Sequence, residues 1–197
     1  MQPPSSTTPL LGIARWVSIA AHPFVTALVL AAAVEMERGT AVAARTATVI
    51  GGLFVLPVAV LTVVQVRRGS WSTVDASHPR DRPLLFGVGS AGLVAVLFYF
   101  ARAEPGTPLA AGAVVVLAML GVCAAITPWL KVSMHMAAAA LAATVLLARG
   151  LPVGGLLGAV LPVLAWSRVA LGRHRWSEVA AGLVIGGAAG VVVAWLR

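Results

Sequence analysis

The sequence predicts an all-α, polytopic transmembrane helical bundle of six or seven helices. Hydrophobic residues make up 60% of the 197-residue chain and charged residues only 10%, whereas an ordinary soluble domain is about 45–50% apolar. Apolar runs long enough to cross a bilayer recur along the chain, with the polar residues in short segments between them. The length suits one integral membrane domain that covers residues 1–197.

Seven apolar runs, separated by helix breakers and polar segments, each predict one helix. We expect helices at Trp16–Val34, Thr46–Val66, Leu84–Ala101, Leu109–Ile126, Ser133–Arg149, Val153–Val169 and Ser177–Leu196. Several runs are short for a membrane span, so the expected count is six or seven. Residues 1–10, rich in Pro, Ser and Thr, are expected to form a flexible tail. Because this start has no basic residue before Arg15, we expect the first helix to be retained and not cleaved.

The order of the runs places the three most polar segments at one membrane face. Two helices separate the segment that ends at Pro83 from the segment around His135, and two more separate His135 from His174. An even number of crossings returns the chain to the same face. The opposite loops hold few charged residues, namely Glu35, Glu37, Arg38, Arg45, Arg102, Glu104 and Arg149.

The three polar segments carry groups that can bind an oxyanion and move protons. They are DASHPRDRP at residues 75–83, KVSMH at residues 131–135 and SRVALGRHRWSE at residues 167–178. Arginine, lysine and serine can bind phosphate oxygens, and histidine can exchange a proton near neutral pH. His174 and Glu178 are four residues apart and would share one face of a helix. The carboxylate could then accept the Nδ1 hydrogen and leave Nε2 as a nucleophile or base.

The last of these segments resembles the third motif of the type 2 phosphatidic acid phosphatase superfamily, SRxxxxxHxxxD. Ser167, Arg168 and His174 stand at the matching positions, and Glu178 replaces the aspartate with a carboxylate one methylene longer. VSMH is similar to the second motif, PSGH, and DASHPRDRP to the first motif, KxxxxxxRP. The order of the three segments and their shared membrane face strengthen the resemblance.

The first two motifs depart from the family pattern in ways that bear on phosphate binding. Asp75 stands where the first motif has lysine and would repel an anionic substrate. We expect either that Asp75 orients an arginine, such as Arg80 or Arg82, or that Lys131 supplies the missing positive charge. Met134 replaces the glycine of the second motif, where the main chain could otherwise approach phosphate closely.

The resemblance implies a covalent mechanism through a phosphohistidine. His174 would attack phosphorus, Glu178 would hold its ring, and His135 would protonate the leaving oxygen. The phosphate oxygens would be bound by Arg82, Arg168, Ser133 and Lys131, with Asp75 and Arg80 in supporting positions. No metal or other cofactor is expected, because arginines supply the positive charge and the sequence has no carboxylate cluster for magnesium.

The expected function is a metal-independent membrane phosphatase acting on an isoprenyl phosphate or diphosphate, or on a phosphatidate-type lipid. Two alternatives remain open: a catalytically weak or inactive relative that binds or transports anionic lipids, and a small transporter whose arginines bind an anion. The net charge is +8, and the basic residues that produce it lie between the apolar runs. We therefore expect membrane lipids and a lipid phosphate as partners, and no nucleic acid.

The distribution of basic residues and of glycines bears on the location and assembly of the protein. A multi-pass position in the cell membrane is expected. The motif face carries nine of the fourteen basic residues, which favours a cytoplasmic site, whereas the resemblance implies a site that faces away from the cytoplasm. We expect the latter. Gly182, Gly186 and Gly190 predict a small-residue face that packs inside the bundle or forms a homodimer. His22, before Pro23, is interpreted as a packing or kink position.

Overall fold

The structure is a computed structural model that describes residues 9–73, 75 and 78–196. These residues form nine α-helices and no β-strand, which confirms the all-α helical bundle. The helices are α1 (Pro9–Ala20), α2 (Pro23–Glu35), α3 (Thr40–Ile50), α4 (Leu56–Arg67), α5 (Arg82–Ala103), α6 (Pro108–Ile126), α7 (Met134–Ala148), α8 (Pro152–Ala170) and α9 (Trp176–Trp195). Pro9 and Leu10, expected in the tail, begin α1 instead, and residues 1–8 lie outside the described residues.

Most of these helices have the length and composition of membrane spans. Among the described residues, five helical segments qualify, namely Thr40–Arg67, Pro79–Ala103, Pro108–Ile126, Pro152–Ala170 and Trp176–Trp195. The α1–α2 pair passes the same test as a single span bent by 45°. Helix α7, with 15 residues, is apolar but shorter. The fold is therefore that of a multi-pass membrane protein with a short additional helix.

The first predicted helix, Trp16–Val34, is broken in the structure. A proline has no main-chain N–H and disfavours helical backbone at the residue before it. His22, which precedes Pro23, is accordingly extended, with φ −63° and ψ 141°. Its Nδ1 atom accepts a hydrogen bond of 3.2 Å from the amide of Phe24 and caps α2. The bend therefore has a local cause in the His–Pro pair.

The second predicted helix is longer than expected and contains a π-turn at Gly51–Val55 between α3 and α4. Pro57 has no N–H to donate to the carbonyl of Leu53, four residues earlier. Gly92 of α5 lies against that carbonyl, since a Cβ added at Gly92 would be 2.7 Å from the Leu53 oxygen. The missing side chain thus allows α5 to pack closely on the π-turn.

Helix α7 lies at the centre of the bundle, in contact with α2, α8 and α9. Its small side chains are almost all buried, including Ala137, Ala139, Ala140, Ala142 and Ala143. The glycine face of α9 packs against its main chain, and a Cβ added at Gly186 would overlap the main chain of Ala137. The small-residue face predicted from the sequence is therefore used inside the bundle.

Charged residues at the end of the bundle away from the three polar segments form their own network. Arg38 contacts Glu35 at 2.6 Å and Glu104 at 3.1 Å, and Arg45 also pairs with Glu104. These ion pairs join the turn between α2 and α3 to the turn between α5 and α6. The charged groups that the sequence assigned to the opposite face thus stabilise the loops of that face.

Candidate active site

A cavity of about 100 Å³ lies at the end of the bundle where the three polar segments meet. Much of its wall is apolar and comes from α2, α4, α5, α6 and the π-turn. Six ionisable side chains also line it: His22, Asp75, Arg82, His135, Arg168 and His174. The structure therefore brings together four of the seven catalytic and phosphate-binding residues expected from the sequence, together with Asp75.

Hydrogen bonds between the polar segments hold this end of the bundle together. Nη1 of Arg82, at the start of α5, donates to the main-chain oxygen of Val132 at 2.8 Å. The amide of Ser133 donates to the main-chain oxygen of Glu178 at 3.1 Å, which joins the start of α7 to the first turn of α9. Each of the three segments is thus tied to a neighbour, and the cavity lies between them.

His174 and Glu178 form a hydrogen-bonded pair, with Nδ1 and Oε2 2.8 Å apart. The expectation that they share a helix is wrong, because His174 lies in the loop after Gly172 and α9 begins at Trp176. Glu178 lies in the first turn of α9, where Oε2 also accepts a hydrogen bond of 3.3 Å from the amide of Arg175. One carboxylate therefore satisfies a helix-end amide and orients the imidazole.

Burial lowers the pKa of His174, and the positive charges of Arg168, Lys131 and Arg82 lower it further. A hydrogen bond to the main chain of Lys131 acts in the opposite direction on the same pKa. The imidazole is therefore neutral at neutral pH. The Glu178 carboxylate next to Nδ1 favours the neutral tautomer that carries its proton on Nδ1 and its lone pair on Nε2. That tautomer is the one required of a nucleophile or base.

Arg168 is fully enclosed, with 1% of its surface exposed. Nη1 donates to Oγ of Ser18 in α1 at 2.5 Å, and Nη2 donates to Oδ2 of Asp75 at 2.9 Å. Asp75 therefore does contact an arginine as expected, but that arginine is Arg168 and not Arg80 or Arg82. A carboxylate on this guanidinium occupies one of the positions that a phosphate oxygen would use.

Several buried polar atoms near the cavity have no hydrogen-bond partner among the described residues. They are Nε of Arg82, Nε of Arg168, Oγ of Ser133 and Nε2 of His135. Buried polar atoms almost always have partners in folded proteins. Arg82, Arg168 and His135 all line the cavity, so two guanidinium N–H groups and one imidazole nitrogen without a partner belong to the residues around it. Such a set fits an oxyanion.

Three residues expected to bind or support phosphate do not line the cavity, as far as the described residues define it. Ser133 is fully buried at the start of α7, without a side-chain capping bond. Lys131 donates from Nζ to the main-chain oxygen of Arg173 at 2.8 Å and lies 4.0 Å from Glu178. Burial lowers the pKa of Lys131. Arg80 is exposed on a 3₁₀ turn.

His22 and Ser18 also belong to this site, although neither was expected there from the sequence. The ring of His22 meets the ring of His135 edge to face, with centroids 5.0 Å apart and an interplanar angle of 83°. Its interpretation as a kink position is correct but incomplete, since the ring also lines the cavity. An ionisable residue that interrupts an apolar run is a signal of function. Ser18 lies four residues earlier, on the adjacent helix α1.

His22, Asp75 and His135 could together hold a metal ion, since their ligand atoms lie within 4.8 Å of one another. Two imidazoles and a carboxylate are a donor set that suits zinc. However, the Asp75 carboxylate already pairs with Arg168, and Arg82 lines the same cavity. The two guanidinium charges oppose a cation and favour an anion. The phosphate-like ligand is the better chemical fit.

The chain matches no protein-family model, no curated protein and no solved structure. The site itself is therefore the guide to its function. At one end of an apolar bundle, the site combines two buried cations, a neutral imidazole held by a carboxylate and a second buried imidazole. These are the groups needed to bind a phosphoryl group, attack it and exchange a proton with its oxygens.

Proposed function

We propose that the protein is a metal-independent membrane phosphatase that hydrolyses a lipid phosphate or diphosphate. The observation that supports this most strongly is the shared cavity of His174, His135, Arg82 and Arg168. Phosphoryl transfer requires little beyond a positioned nucleophile and fixed positive charges around the equatorial oxygens. The resemblance of the three polar segments to the phosphatase motifs points to the same residues.

In the proposed reaction, Nε2 of His174 forms a bond to phosphorus while the bond from phosphorus to the leaving oxygen breaks. Burial and nearby positive charges lower the pKa of His135 in the free protein; the bound phosphate anion offsets those charges, so that His135 takes up a proton in the complex, donates it to that oxygen and becomes neutral. Water then attacks the phosphohistidine, His135 accepts a proton from the water, and the nitrogen–phosphorus bond breaks to release phosphate. Arg82 and Arg168 bind the phosphoryl oxygens throughout. Glu178 stabilises the positive charge that develops on the His174 ring.

The test is phosphate release from a lipid phosphate by the purified protein in detergent with EDTA. His174→Ala should abolish release, and a brief reaction of the wild type should leave phosphate on histidine, in an acid-labile form. His78→Ala is the matched control, because His78 is exposed and outside the described cavity lining. Wild-type activity that depends on an added metal, or a fully active His174→Ala protein, would refute the proposal.

A second candidate is a catalytically weak or inactive relative that binds or transports anionic lipids. The observation that favours it is the Asp75–Arg168 ion pair, since a bound phosphate has to compete with the carboxylate for Nη2. This candidate predicts lipid phosphate binding that requires Arg82 but no hydrolysis, and no loss of binding in His174→Ala. Detection of a phosphohistidine would exclude it.

We propose a cell-membrane location with the site facing away from the cytoplasm. The single cysteine, Cys123, is buried, so single-cysteine additions can report topology directly. Trp129 lies beside the polar segments and is 85% exposed, and Glu37 is exposed at the opposite end. In intact cells, a membrane-impermeant maleimide should label Trp129→Cys and not Glu37→Cys. The reverse pattern would place the site in the cytoplasm.

A further inference from the structure

A second cavity, of about 190 Å³, lies next to the candidate active site and extends into the bundle. The two cavities share the lining residues Pro23, Phe54, Leu120 and Met134. The second one is lined by α2, α5, α6, α7, one residue of α9 and residues near the π-turn. Because these four residues belong to both linings, the second cavity adjoins the space that holds the arginines and histidines, and only these side chains lie between the two.

The second cavity is apolar along almost all of its length. In α7 its lining follows Met134, Ala138, Leu141 and Val145, at the spacing of one helix face. Of its described lining residues, only Thr26, Glu35 and Arg149 are polar. The hydroxyl of Thr26 is turned back to the main chain of its own helix, in a hydrogen bond of 3.0 Å to Pro23. The wall therefore offers contact to hydrocarbon.

The cavity has a defined length and a polar end. From Met134 to Arg149 the chain rises about 22 Å at 1.5 Å per residue, compared with about 30 Å for the hydrocarbon core of a bilayer. At the far end, Arg149 donates to the main-chain oxygen of Val34 at 3.3 Å, and Glu35 pairs with Arg38 at 2.6 Å. The second cavity therefore ends at the charged network of the opposite face.

We infer that this second cavity holds the hydrocarbon chain of the substrate and selects a lipid phosphate with a single chain. The inference rests on the proposed function for the position of the phosphate. A volume of about 190 Å³ drawn out over the length of α7 is a narrow tube. An apolar cavity of about 150 Å³ holds one benzene molecule, so this space holds a segment of one alkyl or prenyl chain, and the paired chains of a phosphatidate exceed it. The phosphate at the arginines and the chain along α7 would then occupy two adjoining cavities.

Packing, and not transfer from water, provides the selectivity of this cavity. A chain that comes from a bilayer or micelle is already in an apolar environment, so its entry gains little from the hydrophobic effect. The shape of the cavity therefore determines which chain binds. Steric exclusion of part of a chain from an apolar pocket changes the preference between two ligands by about tenfold or more. Chain selection is therefore sensitive to a side chain placed in the tube.

Gly112 offers such a position. It lines the tube on α6, and a Cβ added there has no heavy atom within 4 Å. Gly112→Phe should therefore fill the tube without pushing on the main chain. Gly121 is the matched control, since it lies on the same helix, also has open space at Cβ, and is exposed. Ala27→Leu, on the opposite wall in α2, provides a second obstruction should the first variant fail to fold.

The experiment measures binding of hexyl phosphate, hexadecyl phosphate and dihexadecanoyl phosphatidate in detergent, in a His174→Ala background that prevents turnover. Hydrolysis is measured in parallel with His174 present. We expect Gly112→Phe to weaken hexadecyl phosphate binding about tenfold, while hexyl phosphate binding and all binding by Gly121→Phe stay near the starting values. Phosphatidate should bind more weakly than hexadecyl phosphate in the starting protein.

The two proposals fail in distinguishable ways. Chain-dependent binding that Gly112→Phe removes supports the tube even where no phosphate is released, and in that case only the phosphatase proposal fails. Equal effects of Gly112→Phe and Gly121→Phe overturn the tube, whatever the hydrolysis assay shows. Phosphatidate binding as tight as hexadecyl phosphate binding overturns the selection of a single chain.

Discussion

The close contact between α9 and α7 gives the sharpest test of how packing positions the candidate active site. Glu178 lies in the first turn of α9, and Ser133 and His135 lie at the start of α7, so the distance between these helices sets the site geometry. Gly182, one turn further along α9, packs on the same part of α7. We predict that Gly182→Ala separates the two helices.

The magnitude follows from the contact distances. A Cβ at Gly182 would lie 2.5 Å from the main-chain oxygen of Ser133, and ordinary contact begins at about 3.4 Å. The helices would therefore have to separate by roughly 0.9 Å, and a misplacement of about 1 Å can reduce a catalysed rate about 100-fold. Overpacking of this kind destabilises a protein by about 1–3 kcal/mol. Gly182→Ala should show both effects.

Gly187→Ala is the control, because it lies on the same helix and its added Cβ has no heavy atom within 4 Å. Gly187→Ala also gains helix propensity, by up to about 1 kcal/mol, as any Gly→Ala change in a helix does. Comparison of the two variants therefore removes this contribution. The assays are phosphate release and thermal unfolding in detergent. Equal rates and equal unfolding temperatures for Gly182→Ala and Gly187→Ala would show that the contact does not position the site.

Three further predictions concern individual groups of the candidate active site. Because the folded chain holds the pKa of His174 below its ordinary value of about 6.5, the unfolded chain takes up a proton first as pH falls. The free energy of unfolding should therefore fall below about pH 6.5, by up to about 1.4 kcal/mol per pH unit. His174→Gln should remove that part of the slope, and identical slopes would contradict the assignment. Glu178→Gln should lower kcat about 100-fold or more with a smaller change in KM, because it removes the partner that fixes the imidazole tautomer; a change in KM alone would assign Glu178 to binding. Asp75→Asn should strengthen inhibition by inorganic phosphate about tenfold, because Nη2 of Arg168 loses a charged competitor; weaker inhibition would mean that Asp75 holds Arg168 in place for the anion.

The helical bundle could be predicted because its signals are local. Long apolar runs and the breakers between them define most helices to within a few residues, as at Leu109–Ile126 for α6. Counting the membrane crossings also predicts that the three polar segments lie at one face, without any knowledge of their contacts. The break at His22 is local too, since Pro23 forces it, but a run of apolar residues on both sides hides it from a hydropathy pattern.

The partners of the site residues could not be predicted in the same way, because they depend on how the helices pack. Asp75 pairs with Arg168, 93 residues later, and Ser18 contacts the same guanidinium from 150 residues away. The spacing of these residues along the sequence does not indicate that they are in contact. His174 and Glu178 show the reverse case, because their four-residue separation predicted the contact although its geometry is that of a loop and a helix end.

The short length of α7 affects the depth at which chemistry would occur. Its fifteen residues rise about 22 Å, about 8 Å less than the hydrocarbon thickness of a typical bilayer. His135 lies in its first turn, so a shortfall at that end would place His135 beneath the headgroup plane, where the lipid surface would have to thin locally. A lipid phosphate bound there, as proposed, would enter a medium of low dielectric constant, where guanidinium charges attract it more strongly than in water. A thicker membrane would increase that depth, so bilayer thickness would control the rate of the proposed phosphatase reaction.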